Sequence, residues 1–305
     1  MPIACPACGR PNSDRAPQCI YCSESLEGLA GGEPTMGAAA IAPATSRHFI
    51  ILAPQTGDAD GRVALFAEVV GMDPYDARLA LQTERPRLLR RVETLEEAEA
   101  LSARLASARI AHFAIAEADV SAIQVVLIRN LELLGEGLRL GLAEGKLLFI
   151  PYSELSLLVR GEIVRERHQE RGLGTIRGTN RPLTPGLRLH FYSQNATAVA
   201  AELDPEQFDW SALGENRTPS TPINSRRLIE EILRRAPAAV IDRGFDWEPV
   251  VLSRSQEGTE IGSALAVERN VQEAAVYDNE AQFRFYSRWR YLVAGSQARS
   301  HEHRA

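Results

Sequence analysis

The chain has 305 residues, 45% hydrophobic and 24% charged, with a formal net charge of −6. That balance predicts a water-soluble globular chain of two or three domains and excludes a nucleic-acid binder driven by bulk charge. No apolar run approaches the length of a membrane span. Lys146 is the single lysine among 34 basic residues, a bias read as genome composition.

All four cysteines lie in Cys5-Pro6-Ala7-Cys8 and Cys19-Ile20-Tyr21-Cys22. Each C-x-x-C turn points two sulfurs at one ion, and four thiolates suit tetrahedral zinc. Gly9 follows the first pair, where a knuckle needs close backbone approach. Pro11, Asn12, Ser13, Asp14 and Pro17 fill the spacer with turn residues. A piece this small lacks an apolar core and needs a staple. The rivals are two disulfides, which suit an exported mini-domain, and a redox C-x-x-C, which normally comes singly near a βαβ pattern. Met1 to Cys5 has no basic start and no apolar segment after it, so the expected location is the cytoplasm, and zinc is the preferred reading. Residues 3–25 resemble the short zinc ribbons at the amino ends of many bacterial proteins. The resemblance implies one structural zinc on Cys5, Cys8, Cys19 and Cys22. It implies no particular function, since ribbons bind nucleic acid, proteins or nothing known.

The ribbon is assigned to residues 1–25 and a flexible linker to 26–46. The stretch Ser23 to Ser46 is rich in Gly, Ala, Pro, Ser and Thr and has no periodicity.

Residues 47–120 read as a second module. His48 to Leu52 is an apolar strand, and Arg62 to Val70 is a helix stopped by Gly71. Asp73-Pro74 starts another helix, with Asp as N-cap and Pro in the first turn, running to about Thr83. Leu88 to Val92 is a strand. Thr94 and Glu97 form a capping box, and Leu95, Ala98, Leu101 and Leu105 make one apolar face. His112 to Ala116 closes a β-α-α-β-α-β order. The helix pair around Val70-Gly71-Met72-Asp73 and the segment Thr94-Leu95-Glu96-Glu97-Ala98 resemble the fold shared by the C-terminal domain of the bacterial ribosomal stalk protein and the adaptor of the Clp protease. That likeness implies protein–protein contact. The stalk domain presents lysines, absent here, and the adaptor's acidic loop is matched by Gln55-Thr56-Gly57-Asp58, so neither family's binding residues carry over.

Residues 121–237 read as β-rich. Strands are expected near 123–129, 137–142, 146–150, 155–159, 162–168, 187–192 and 197–203. Turns fall at Ala143-Glu144-Gly145, Arg160-Gly161 and 193–196. A helix capped by Asn224 or Ser225 carries Leu228, Ile229, Ile232 and Leu233 and ends at Pro237. Seven strands and a closing helix resemble the pattern of a pleckstrin-homology barrel. The acidic first loop, Asn130 to Glu136, is unlike the basic loop of lipid-binding members. An extension at 238–295 follows, with one strand at 250–252 and an aromatic helix at 279–294. A disordered tail is expected at 296–305.

The fold expected is therefore multidomain α+β: ribbon, linker, α/β module, β-rich unit and C-terminal helices. Arg165 to Arg188, with six arginines and Gly172, Gly174 and Gly178, reads as a solvated hairpin loop, with phosphate or RNA gripping as the alternative. Phe283 to Tyr291 mixes aromatics with Arg284, Arg288 and Arg290. It reads as a docking helix rather than a base-stacking surface. His48, His112, His168 and His190 read as satisfied polar side chains. Glu93, Glu96, Glu97 and Glu99 favour a helix start. There is no Walker loop, Gly-x-Ser-x-Gly elbow, His-Glu-x-x-His or spare cysteine, so no catalytic residue or small-molecule substrate is assigned. The expected role is a non-enzymatic zinc-binding adaptor for another protein. The alternatives are a nucleic-acid-associated factor and an enzyme with its site in the β-rich unit.

Overall fold

The computed structural model describes residues 3–4, 11–12, 47–56, 60–142, 145–169, 181–183, 185–194, 199–254 and 274–302. At the amino end, β1 (Ile3–Ala4) and β2 (Pro11–Asn12) pair antiparallel, with Ala4 opposite Pro11. Cys5, Cys8, Cys19, Cys22 and the expected linker lie outside the described residues. The described chain is mixed α and β. It divides into two compact units, one holding residues 47–123 and 288–302 and the other residues 124–287.

The smaller unit runs β3 (His48–Leu52), α1 (Val63–Val70), α2 (Pro74–Leu81), β4 (Arg87–Val92), α3 (Leu95–Ser107), β5 (His112–Ala116) and α4 (Glu117–Ala122). The first six elements follow the expected order. β3 lies between β4 and β5, antiparallel to both, and all five of its residues are buried. Local signals place the helix ends. Gly71 takes φ 67° and its N–H bonds Ala67 O, stopping α1. The Asp73 carboxylate accepts from Tyr75 N at 2.8 Å to cap α2. Thr94 Oγ1 accepts from Glu97 N, and Glu97 reaches back to Glu93 N, one residue beyond the capping-box partner. Ala98, Leu101 and Leu105 pack with Phe66, Leu81 and Ile50, but Leu95 is 50% exposed. At the first helical position there is no preceding turn of helix for its side chain to cover.

The larger unit begins with β6 (Gln124–Leu133), β7 (Gly137–Leu142) and β8 (Leu147–Pro151), an antiparallel meander. β9 (Leu155–Ile163), β10 (Arg165–Gln169), β11 (Arg181–Pro182), β12 (Gly186–Ser193) and β13 (Val199–Leu203) follow. Then come α5 (Thr221–Arg235), β14 (Val240–Asp242), β15 (Ser253–Arg254), β16 (Ala274–Asp278) and α6 (Glu280–Glu302), which belongs to this unit through Ser287. One seven-stranded sheet has the order β14-β9-β12-β13-β6-β7-β8, with β13–β6 and β14–β9 parallel. A second sheet has the order β11-β10-β16-β15. Residues 238–287, read above as part of a separate extension, belong to this unit, because β14 extends the main sheet beyond α5 and β16 pairs with β10. The strand expected at 250–252 falls instead on Ser253–Arg254. The first loop is shorter than expected, since β6 continues through Leu133 and Glu132 pairs with Arg139 within the sheet at 2.9 Å.

The apolar face of α5, with Leu228, Ile229 and Ile232, packs on Leu138, Leu140, Leu158, Leu189 and Phe191. Neither Asn224 nor Ser225 is its N-cap. The helix starts at Thr221 with Pro222 in its first turn, and Asn224 reaches back, accepting from Thr218 N at 2.8 Å. Pro222 is compatible with a helix start and needs no N–H partner there. At the other end, Arg235 donates to Leu133 O and Leu134 O, tying α5 to the β6–β7 turn.

The turn expected at Arg160-Gly161 is uninterrupted strand: β9 pairs with β12 from Leu155 to Ile163. Gly161 breaks no strand; it makes room. A Cβ there would lie 2.3 Å from Phe283 Cδ2 and 2.7 Å from Phe245 Cδ1. β9 and β12 are covered on both faces, which removes the alternation an exposed strand shows. Gly161→Ala is expected to destabilise the chain by about 1–3 kcal/mol through overpacking, read as a lower urea midpoint at unchanged slope. The final helix runs to Glu302, where a tail without structure was expected from 296.

Candidate functional site

Two features of the larger unit stand out: a buried ionic cluster and an exposed apolar edge. The cluster grows from alternate residues of β12. Leu189 and Phe191 face α5, so Arg188, His190 and Tyr192 face the other way, toward α6. Arg188 is 1% exposed; its NH1 lies 2.8 Å from Asp204 and its Nε 3.2 Å from Glu280 and 3.8 Å from Glu202. Glu202, directly across from His190 in the ladder, accepts from His190 Nε2 at 2.9 Å. Arg284 grips Glu202 with Nε and NH2, both at 2.9 Å, and reaches Glu280 one helical turn back. His190 Nδ1 meets Ser287 Oγ at 2.9 Å, and Ser287 meets the Tyr192 hydroxyl at 2.8 Å. Phe283 lies edge-on to the His190 ring, its centroid 4.7 Å away.

Burial by itself would raise the Glu202 carboxyl, but hydrogen bonds and charge from Arg284 and His190 outweigh it and hold the group well below the usual carboxylate range. For Glu280, burial wins: it pushes the carboxyl up against the pull of Arg188 and Arg284, with Glu202 adding repulsion.

Ser287, His190 and Glu202 have the spacing of a nucleophile, a base and its orienting carboxylate. Yet Ser287 and His190 are 0% exposed, and Ser287 sits inside a helix with a tyrosine hydroxyl on its oxygen. A substrate cannot reach that oxygen. The cluster's evident role is to fasten α6 to the sheet.

The second feature is β8, the outer strand of the main sheet, with no neighbour beyond it among the described residues. Leu147 is 70% and Phe149 43% exposed, on the same face by strand alternation. Phe149 stands across from Arg139, and its ring covers the space over Gly137, where a Cβ would meet it at 2.7 Å. A shallow depression beside it is lined by Leu134, Glu136, Arg139, Leu147 and Leu148. Sheet edges of this kind, with unpaired backbone groups and exposed apolar side chains, accept further strands.

The other expected site residues fare as follows. The zinc cysteines lie outside the described residues, although β1 and β2 bracket the first pair. Within 165–188, Arg188 is buried in the cluster and Arg165 pairs with Glu206 at 3.2 Å. Neither reaches for phosphate, and residues 170–180 lie outside the described residues. Phe283, Tyr286 and Trp289 are buried, so these aromatics are core rather than a stacking platform. His190 is the satisfied polar side chain expected. His112 bonds Ile110 O, and His48 is buried with Nδ1 lacking a hydrogen bond. Glu93 pairs with Arg47. Among the described residues no helix is long and apolar enough to cross a membrane, and no group of three or more His, Cys, Asp or Glu could hold a metal.

Sequence reasoning missed the cluster. Its signal was there: Arg188 and His190 alternate within the apolar run Leu187 to Tyr192, an unusual pair for a strand with apolar neighbours on both sides. Comparison of this chain with protein-family models, curated proteins and solved structures finds no match.

Proposed function

We propose that this chain is a non-enzymatic cytoplasmic adaptor, with a zinc ribbon on Cys5, Cys8, Cys19 and Cys22, that docks other proteins at the β8 edge. One observation carries the docking reading: Leu147 and Phe149 stand exposed side by side on the outermost strand of the main sheet. An extended partner segment adding there would complete the backbone ladder and cover both side chains. The ribbon reading is supported by the cysteine spacing and by the β1–β2 pair around the first knuckle. The multidomain arrangement of ribbon, linker, α/β module and β-rich unit is part of the same proposal. A nucleic-acid role finds less support, because two of the arginines in its candidate loop are engaged in ion pairs.

The test compares wild type with Leu147→Glu/Phe149→Glu in capture from lysate, each with and without residues 1–25. The double variant is expected to lose the specifically retained proteins while it keeps cooperative unfolding and its far-ultraviolet circular dichroism. Lys146 sits next to the patch and is the chain's only lysine. Its labelling by an amine-reactive reagent is expected to fall in the complex. Retention of the same proteins by both forms, or of none by wild type, would overturn the reading.

A further inference from the structure

The groups around His190 come from three elements. β12 supplies Arg188 and Tyr192, and β13 with the residue after it supplies Glu202 and Asp204; α6 supplies Glu280, Arg284 and Ser287. The other neighbour of β12 is β9, which sets only Leu157, Val159 and Gly161 opposite Tyr192, His190 and Arg188. Asp278 lies at the amino end of α6 and accepts from Glu280 N at 3.0 Å, where the helix dipole meets its charge.

Among the described residues the cluster thus sets three carboxylates, Glu202, Asp204 and Glu280, against two guanidiniums, Arg188 and Arg284. Four of these charges are buried, only Arg284 reaches solvent, and an excess of one negative charge there is expensive to keep from water. One bound proton makes it neutral, and the geometry provides two places for it. On Glu280 it removes the excess directly. On His190 it makes an imidazolium whose Nε2–H donates to Glu202. In either state Nδ1 keeps a partner, because the hydroxyls of Ser287 and Tyr192 each serve as donor or acceptor by rotating one hydrogen.

We propose that the amino-terminal half of α6 is held to β12 and β13 by a one-proton latch, the proton being shared between His190 and Glu280, and that losing it loosens the helix. The direction of the Glu280 carboxyl, pushed up chiefly by burial, agrees with this. The sign follows. A carboxyl that holds its proton more tightly when folded contributes stability fully present below its unfolded value near pH 4.3. That contribution is lost as pH rises through the folded value.

The experiment measures urea unfolding of wild type and Glu280→Gln from pH 5 to 9. Glutamine keeps the shape and removes the charge that requires the proton. The ratio of the two unfolding constants is expected to change with pH, by up to about tenfold per unit between the unfolded and folded values of the group, the limit for one proton, with wild type weakening as pH rises. Hydrogen exchange at amides 284–287 is expected to lose protection in wild type relative to the variant at the alkaline end. A constant ratio across the range would overturn the proposal. Should the variant fail to fold, imidazole nitrogen and carboxyl NMR of wild type at pH 7.5 decides the matter. One of His190 and Glu280 is expected to be protonated, and finding His190 neutral with Glu280 ionised sinks the latch.

Discussion

Arg188→Ala is expected to lower stability by about 3–5 kcal/mol, the usual consequence of leaving buried charges without a partner. Arg188 is 1% exposed and touches all three carboxylates of the cluster. Its removal leaves Asp204 without its cation and throws the neutralisation of Glu202 and Glu280 onto Arg284 alone, which is 39% exposed. The unbalanced repulsion is also expected to free the amino-terminal half of α6, so the near-ultraviolet signal of Tyr286 should fade before the sheet unfolds. The comparison is Arg139→Ala, whose partner Glu132 is more than half exposed. A surface pair of that kind is worth about 0–1 kcal/mol. Urea titration followed by circular dichroism separates the two. Equal losses from both substitutions would mean that the cluster does not fasten the helix.

The purified, reduced chain is expected to carry one equivalent of zinc, released by Cys5→Ser/Cys19→Ser. Zinc bound to such knuckles is worth about 10–16 kcal/mol in peptides near neutral pH. An amino end with almost no apolar core cannot replace that. The double variant should therefore be cut by protease within residues 1–25 at enzyme concentrations that spare wild type. Acid should release the metal too, because zinc binds thiolates and protons compete for them. Metal analysis, thiol counting and limited proteolysis check these outcomes together. A metal-free wild-type chain that resists the protease, or cysteines found oxidised in the cell, would remove zinc from the account.

These expectations come from different distances along the chain. The α/β order of residues 47–116 was readable because each boundary has a local cause. Gly71 tolerates the left-handed conformation that ends α1, and Asp73 and Thr94 offer short oxygens to bare N–H groups. Such signals act over about four residues and survive without tertiary context. Gly161 shows the opposite case. Read locally, Arg-Gly marks a turn; in the fold, the glycine leaves room for Phe283, more than a hundred residues later. The strands that follow α5 are illegible locally for the same kind of reason. β14 is three residues long and becomes a strand only by lying parallel to β9, and β16 by lying beside β10.

Arg188, His190 and Glu202 were visible as letters but not as a group. Nothing within a few positions of any one of them says that α6 will cover that face of the sheet.

By itself the amino-acid sequence determined the helix caps of the smaller unit, the order of its elements, and the clustering of every cysteine within the first 22 residues. Each rests on chemistry between near neighbours. Only the tertiary structure decided which strand became the exposed edge, where glycine makes room rather than a turn, and that Arg188, Glu202, Asp204 and Glu280 are buried together against α6. Those outcomes depend on strand order and helix placement, which bring together residues more than a hundred positions apart, as Val164 and Asn279.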